Sequence, residues 1–452
     1  MSVLALECST SSAKAMLHHG ARGVLRVAEK RYDSRDITAL DMEAVWRDVS
    51  AVVREAVPGG EKAEALALCA IWHSFLPEDG EGRPLSLLST WADTRGAGEA
   101  EAARREARGE ELYRATGCPP HSMYPYYQLL AWNRARPRPE RVEDMSAWLF
   151  RRLTGVSAVS RNTASGSGLM GLDGDWLPRA LEDCGLTPAR LPLLMEPEES
   201  LPLCPEAAEA LGLEPGIPVF PGGGDGGLTQ IGSGAPVTLS VGTSGAIRME
   251  TGEPFFTRPP QTWCYRLWKG RYVAGAATSG GGNCVEWLGG ILGAADTDWN
   301  AALSCDREKA PLFFPFLWGE RSPGFRDNRR GAFLGLTGAT DKRQLLYSVL
   351  EGVLFHLYDC ALRLPLPEGE LLLTGGITRN PGWRQLACDL FGRPMTFLPG
   401  EHTSLLGAAA VAHDGLGRRF SLPSRGVLTP SSPLLLKKRF KTYRENAGNL
   451  PD

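Results

Sequence analysis

One acid stands inside packed glycines in the run Val219-Phe220-Pro221-Gly222-Gly223-Gly224-Asp225-Gly226-Gly227. Glycines gather where a backbone must come close to a ligand or to another segment. A carboxylate held in such a place can accept a proton from a reacting hydroxyl. Further on, a β-rich run, Val237 to Val241, opens into Gly242-Thr243-Ser244-Gly245. A small hydroxyl-rich turn between strands offers backbone N–H groups to phosphate. Read separately, Asp225 is compatible with a simple turn cap and the Thr243 turn with a plain hairpin. Read together, they suggest a base beside a nucleotide phosphate.

The elements that must position these residues follow from pattern. Val3 to Leu17 reads as strand, hydroxyl-rich turn, strand, and Val237 to Met249 repeats that plan. Two such hairpins imply two similar halves, 1–235 and 236–452, with Gly232–Pro236 as the crossing. A helix is expected near Met42–Val57, a strand at Ala65–Ile71, a hairpin loop at 78–84 and a polar helix around Ala97–Ala107. The second half predicts an amphipathic helix over Gln344–Leu357, a buried strand Leu371–Leu373 running into Gly375-Gly376, and a small-residue helix over Leu405–His413. Strands alternating with helices indicate an α/β class. Residues 421–452, rich in Pro and Ser and then basic, read as a solvated surface helix.

Composition narrows the function. The 452 residues favour two domains. A net charge of −3 gives no general pull toward nucleic acid or anionic membrane. No apolar run reaches the roughly 18 residues a bilayer span needs. The ten cysteines form no C-x-x-C pair or zinc-spaced cluster, which fits a cytoplasmic protein with reduced thiols. Neither G-x-x-x-x-G-K-[ST] nor a strand-to-helix G-x-G-x-x-G occurs, so a nucleotide must be held by hairpin turns and helix N-termini.

Several short stretches, in order, carry a family likeness: Glu7–Lys14, Trp91-Ala92-Asp93-Thr94-Arg95, Arg152–Gly155, Gly222–Asp225, Gly242–Gly245, Gly319-Glu320-Arg321-Ser322-Pro323, Leu350–Val353, Gly375-Gly376, Trp383–Gln385 and Leu406–Ala409. The chain resembles the FGGY carbohydrate kinases over nearly its whole length, and within them it is most similar to the gluconokinase branch. The resemblance implies two actin-like (ribonuclease H-like) domains flanking a cleft, with sugar against the first and ATP with Mg²⁺ against the second. It implies ATP-dependent phosphorylation of a small sugar or sugar acid, gluconate favoured, with Asp225 as general base. Another acceptor such as xylulose, or a catalytically weak nucleotide- or sugar-binding regulator, is the alternative. Beyond the small-molecule substrate, the resemblance allows a second copy of the chain as partner, in a homodimer.

Carried over residue by residue, the resemblance gives Trp72, His73, Trp91, Asp93, Arg95 and Gly226 to the sugar. Thr10, Ser11, Lys14, Gly242, Thr243, Gly282, Gly375, Gly376 and Asn380 go to the nucleotide, and Glu7 and Asp225 to the metal. An indole face suits sugar C–H groups, and His, Asp and Arg supply directional hydrogen bonds. His73 is also compatible with a satisfied core residue, and Asp93 and Arg95 with a structural ion pair. An aldonate carboxylate would suit Arg95. Gly375-Gly376 equally fits tight strand–helix packing.

The first hairpin departs from the family pattern Asp-x-Gly-Thr-[Thr/Ser]-Ser. Here Glu7 replaces the aspartate and Ser9 the glycine. Glu7 adds one methylene where Mg²⁺ geometry is exacting. Ser9 adds a Cβ and would penalise a positive φ. Trp72 and Ile71 stand where the family usually has Met and Gln or Ala, which reshapes the sugar side.

Overall fold

The computed structural model describes residues 2–34, 36–58, 61–398 and 402–449. Two sheets, one from each half, dominate. The first joins β1 (Ser2–Cys8), β2 (Ser12–His19), β3 (Gly23–Arg31), β4 (Ala65–Ala70), β5 (Leu201–Pro202) and β6 (Pro218–Gly224) in the order β3-β2-β1-β4-β6-β5. The second joins β7 (Val237–Val241), β8 (Gly245–Thr251), β9 (Trp263–Arg266), β10 (Tyr272–Thr278), β11 (Leu371–Thr374), β12 (Met395–Phe397) and β13 (Gly426–Leu428) in the order β9-β10-β8-β7-β11-β12-β13. Apart from the added edge strand β9, the orders match. In both, two antiparallel pairings are followed by two parallel pairings and a final antiparallel one. The duplication expected from the hairpins therefore extends through both sheets.

Every residue of β1 is buried, so both its faces are covered. Its alternation sorts the partners. Leu4 and Leu6 pack with α1 (Met42–Ala56), through Val45, Val49 and Val52. Val3 and Ala5 pack against residues from the second half: Leu405, Ala408, Ala409 and Ala412.

Three further helices organise the middle and the second half: α2 (Asp225–Ser233), α3 (Lys342–Ala361) and α4 (Thr403–Gly415). α3 lies against β8 and β10, and its Leu350, Val353 and Leu354 join the core of the second half. α4 lies in a cluster with Val3 and Ala5 of the first sheet and Leu372 of the second, crossing tightly over α2. A Cβ on Gly407 would stand 1.9 Å from the Leu228 carbonyl oxygen, and one on Gly232 2.0 Å from that of Thr403. The small-residue composition of α4 is the sequence trace of that backbone contact. The Gly232–Pro236 crossing is accordingly a packed turn, fastened by Gln230 Nε2 donating to the Ala235 carbonyl at 2.6 Å.

Most other elements appear near their expected positions. The loop at 78–84 closes with Asp79 N–H donating to the Arg83 carbonyl at 3.0 Å. The Ala97–Ala107 helix ends early, at Arg104, and a second helix starts at Ala107. The tail is the main correction. Its helix, α5 (Pro433–Ala447), exposes Lys437 and Lys438 but buries Leu436, Phe440 and Tyr443 in the second-half core. Tyr443 stacks on Phe314 with ring centroids 4.6 Å apart. Arg439 is not solvated. Its Nε and terminal nitrogens donate to the buried Glu351 carboxylate at 2.8 and 2.6 Å. Charge content drew attention to the lysines, while the four-residue spacing of Leu436 and Phe440 held the real signal. Residues 450–452 of the expected tail lie outside the described residues.

Removing one partner of a buried, hydrogen-bonded ion pair strands the other charge. Arg439→Ala should therefore cost about 3–5 kcal/mol of second-half stability in denaturant unfolding. A loss below about 1 kcal/mol would put the pair in the class of weak surface bridges.

Candidate active site

The parallel strands β1, β4 and β6 end together, and their ends carry the chemistry. β1 ends at Glu7-Cys8, β4 runs into Ile71-Trp72-His73, and β6 delivers Gly224 to Asp225, the first residue of α2. Asp225 accepts from the Gly226 N–H at 2.8 Å, and the backbone of Trp72 adds a further hydrogen bond. A helix N-terminus and N–H donors favour the anion. Burial outweighs them and raises the Asp225 pKa, against the lowering pull first of Arg248 and then of Arg321.

Trp72 explains the glycines. Its indole lies against β6 and α2, where a Cβ on Gly224 would meet it at 2.2 Å and one on Gly226 at 2.5 Å. Its Nε1 donates to the Asn162 carbonyl at 3.1 Å, while Asn162 Oδ1 accepts from Gly224 N–H at 2.8 Å. Tryptophan at this position thus builds the floor beside Asp225.

Arg248, on β8, spans from Asp225 toward the second hairpin. One terminal nitrogen donates to Ser240 Oγ at 2.9 Å, and Ser240 pairs with Thr374 Oγ1 at 2.8 Å. Its Nε has no partner, and burial pushes its pKa down to about 10. Glu7 is more deeply enclosed. Ser404 Oγ, on α4, donates to its Oε1 at 2.7 Å, and Lys14 Nζ stands 3.9 Å from Oε2. Burial raises the Glu7 pKa; Lys14 and Ser404 oppose this, and Asp225 adds to it.

Two mutually repelling, desolvated carboxylates supply hard oxygen donors of the kind Mg²⁺ takes alongside phosphate and water. Among the described residues, no cluster of three or more His, Cys, Asp or Glu is arranged to hold a metal by protein side chains alone.

The first hairpin is more self-contained than its sequence suggested. Ser9 is not at positive φ. Its hydroxyl accepts from Ser12 N–H at 2.9 Å and Ser11 N–H at 3.2 Å, so it closes the turn internally. Thr10 Oγ1 accepts from Trp91 Nε1 at 3.0 Å, Ser11 is exposed, and Lys14 lies between Glu7 and Glu29. In the second hairpin Thr243 is exposed at the tip. The helix Gly282–Leu292 braces that tip, with Gly282 N–H donating to the Gly242 carbonyl at 2.7 Å and Asn283 N–H to that of Thr243 at 3.1 Å. Gly282 is thus a brace whose own amide is already used. Gly375 follows β11 with φ +85°, over the end of β7, and Gly376 is exposed beside it. Asn380 caps the helix Pro381–Phe391, its Oδ1 accepting from Trp383 N–H at 3.0 Å, which occupies the oxygen expected near the nucleotide base.

Next to Trp72, His73 is buried at φ +62° and donates from Nδ1 to the Gly166 carbonyl at 2.6 Å. Burial, then Arg321, push its pKa down to about 3, so the ring is neutral. It meets Tyr124 edge-on at 5.0 Å, and the Tyr124 and Tyr265 hydroxyls bond each other at 2.8 Å. Asp93 and Arg95 pair with each other, at 2.7 Å from Nε and 2.6 Å from a terminal nitrogen. Of their two readings the structure draws the ion pair, and Arg95 is not a free anion binder. Sequence reasoning gave no role to Arg248, Arg321, Ser404 or Asn162. Arg321 lies in the Gly319–Pro323 run and Arg248 in the second hairpin, whereas Ser404 and Asn162 left no local signal.

Two adjoining family descriptions match the chain. That of the FGGY family of carbohydrate kinases, N-terminal domain, covers residues 2–232, and that of its C-terminal domain covers 237–413. The chain belongs to the FGGY carbohydrate kinases. Gluconokinase of Bacillus subtilis (strain 168) is 28% identical over 92% of this chain and 88% of its own. Xylulose kinase of Escherichia coli (strain K12) is 30% identical over 83% and 80%. Gluconate kinase from Lactobacillus acidophilus superposes with a TM-score of 0.91 at 24% identity, covering 99% of this chain and 98% of that one. The chain is therefore a phosphotransferase on the two-domain FGGY kinase fold, acting on a small sugar. Among the described residues, no helix is long and apolar enough to cross a membrane.

If Asp225 is the group that accepts the reacting proton, activity falls as pH drops through its raised pKa, since a base works only when deprotonated. Arg248 holds that pKa down. Arg248→Met should move the acid limb of the kcat/KM profile to higher pH, and an unmoved limb would show that Arg248 does not face the base.

Proposed function

We propose that this chain phosphorylates a small sugar or sugar acid with ATP, gluconate being the first acceptor to test. Residues 1–235 hold the acceptor and 236–452 the nucleotide. The observation that supports this most is Asp225 itself, a desolvated carboxylate at the parallel strand ends with Glu7 on one side and the Arg248–Ser240 bridge on the other.

In this reading an acceptor hydroxyl sits at Asp225, which takes its proton as the oxygen attacks the terminal phosphoryl group. Trp72 and His73 shape the pocket and keep water out. The Gly242-Thr243 turn receives phosphate oxygens, and Arg248 offers positive charge between base and hairpin. Glu7 and Asp225 would hold Mg²⁺, which neutralises phosphate charge when bound. Gly375 and Gly376 let the adenosine approach the backbone. Positioning and charge neutralisation supply most of the acceleration in phosphoryl transfer, and the base adds about 10²–10⁴-fold.

An ATP-consumption assay across aldonates, pentuloses and polyols tests the reading. Turnover should appear with a sugar acid, and Asp225→Asn should lower kcat by about 10²–10⁴-fold while ATP affinity persists. A fully active Asp225→Asn enzyme overturns the base assignment. Silence across the panel with nucleotide binding intact favours the weak regulatory homologue, which the internally closed Ser9 turn would suit.

A further inference from the structure

Thr238 and Ser240 stand two residues apart on β7 and so share one side of the sheet. That side faces α2, since Thr238 Oγ1 donates to Gln230 Oε1 at 2.8 Å. Arg248 lies opposite Thr238 in the β7–β8 ladder and opposite Gly275, which has no side chain, in the β8–β10 ladder. Its guanidinium reaches Gly226, where a Cβ would stand 3.0 Å from Nε and 3.1 Å from one terminal nitrogen. The other terminal nitrogen donates to Ser240 Oγ at 2.9 Å. Having accepted from Arg248, the Ser240 hydroxyl keeps its proton for Thr374 Oγ1, 2.8 Å away. Thr374 is buried at the end of β11 and pairs with Ser240 in a parallel ladder whose backbone bonds need neither hydroxyl. The next residue, Gly375, presses on the second hairpin: a Cβ there would lie 2.6 Å from the Val241 carbonyl oxygen and 3.0 Å from the Gly242 nitrogen. One line of contacts therefore runs from the Gly375 turn through Thr374 and Ser240 to Arg248, and ends beside Asp225.

We infer that Ser240 and Thr374 are positioning residues for phosphoryl transfer: their linked hydroxyls hold the Arg248 guanidinium beside Asp225 without letting it close on the carboxylate. The inference rests on the reading of Asp225 as the base. Asp225 and Arg248 act on each other through charge, with no hydrogen bond between them. That separation needs a cause. A guanidinium on a flexible stem gains most by folding onto a nearby carboxylate in a two-pronged pair. Such a pair would occupy the oxygens that a base must offer to the reacting proton. Ser240 supplies the competing acceptor. Thr374 takes the Ser240 proton, which leaves a Ser240 lone pair turned to the arginine, and hydroxyls bonded in series strengthen one another. Neither hydroxyl touches the reacting atoms; both act through Arg248.

A double-mutant cycle tests this, with initial rates read on ATP and gluconate, or on xylulose where gluconate is not phosphorylated. Ser240→Ala and Thr374→Val should each lower kcat by about 10- to 100-fold, the scale of a group misplaced near the reacting atoms, with ATP affinity and melting temperature unchanged. In an Arg248→Met background both substitutions should cost nothing further, because the group they position is gone. Thr374→Ser keeps the hydroxyl and should keep the wild-type kcat. Full additivity with Arg248→Met, a wild-type kcat in Ser240→Ala, or an ATP affinity that falls in step with kcat would overturn the inference. Where Thr374→Val fails to fold or Arg248→Met leaves no measurable rate, Ser240→Ala and Thr374→Ser decide. The two readings fail separately. A fully active Asp225→Asn refutes the base whatever the cycle shows, and an inactive Asp225→Asn with an additive cycle refutes the positioning pair alone. A wild type silent across the acceptor panel refutes both.

Discussion

Asp225 must keep a negative charge in a place the fold has partly dried, and much of the surrounding structure answers to that requirement. Burial alone raises its pKa. The N-terminus of α2, the Gly226 N–H and the Arg248 guanidinium each pull the other way. None of these can be moved far without changing another. Arg248 comes near enough to act on Asp225 because Gly226 has no side chain: a Cβ there would sit 3.0 Å from Arg248 Nε as well as against Trp72. A carboxylate whose proton affinity is raised in this way suits proton transfer better than a fully solvated one.

The same electrostatics ties the two halves together. Glu7 belongs to the first sheet, yet the hydroxyl on its Oε1 comes from Ser404 on α4, which belongs to the second half in sequence. α4 lies against residues of both sheets and crosses α2, the helix that begins at Asp225, at the Gly232–Gly407 contact. A shift of the second half relative to the first is therefore felt at both carboxylates through one small-residue helix. The duplicated sheets have diverged in what their hairpins do. The second keeps Thr243 exposed at a braced tip. The first folds its N–H groups onto Ser9 and its lysine onto Glu7 and Glu29, so it serves the carboxylate side more than it displays free donors.

The sequence exposed what is local or periodic. The paired hairpins, the alternation of β1, the Asp225 glycines and the small-residue α4 could all be read from spacing, and they suffice for the two-sheet plan. Long-range contacts were not legible. Trp72 appeared as bulk intruding on a sugar pocket. Its reason, an indole laid on Gly224 and Gly226 and held by Asn162, requires segments from three parts of the chain. Ser9 appeared as a steric fault because glycine-like φ was assumed for it, and its backbone does not adopt that φ. The tail was judged by its lysines, which are exposed, and not by Arg439, whose partner Glu351 is far away in sequence.

Arginines show most clearly why charge in a sequence is a weak guide to charge at a site. Arg95 stands two residues from an acid in a recognisable run, and that proximity is what neutralises it. Arg321 follows an acid directly, but Glu320 turns away to Arg326 and Arg329. Asp93 and Arg95 lie in a turn in which Asp93 Oδ1 also accepts from the Arg95 N–H at 2.9 Å, so local folding joins that pair, while the adjacent Glu320 and Arg321 go to different partners. A cation left over after such pairing is set by the fold's topology. In this fold Arg321 lies over the Trp91 indole, and Arg248 is tied to the second hairpin through Ser240.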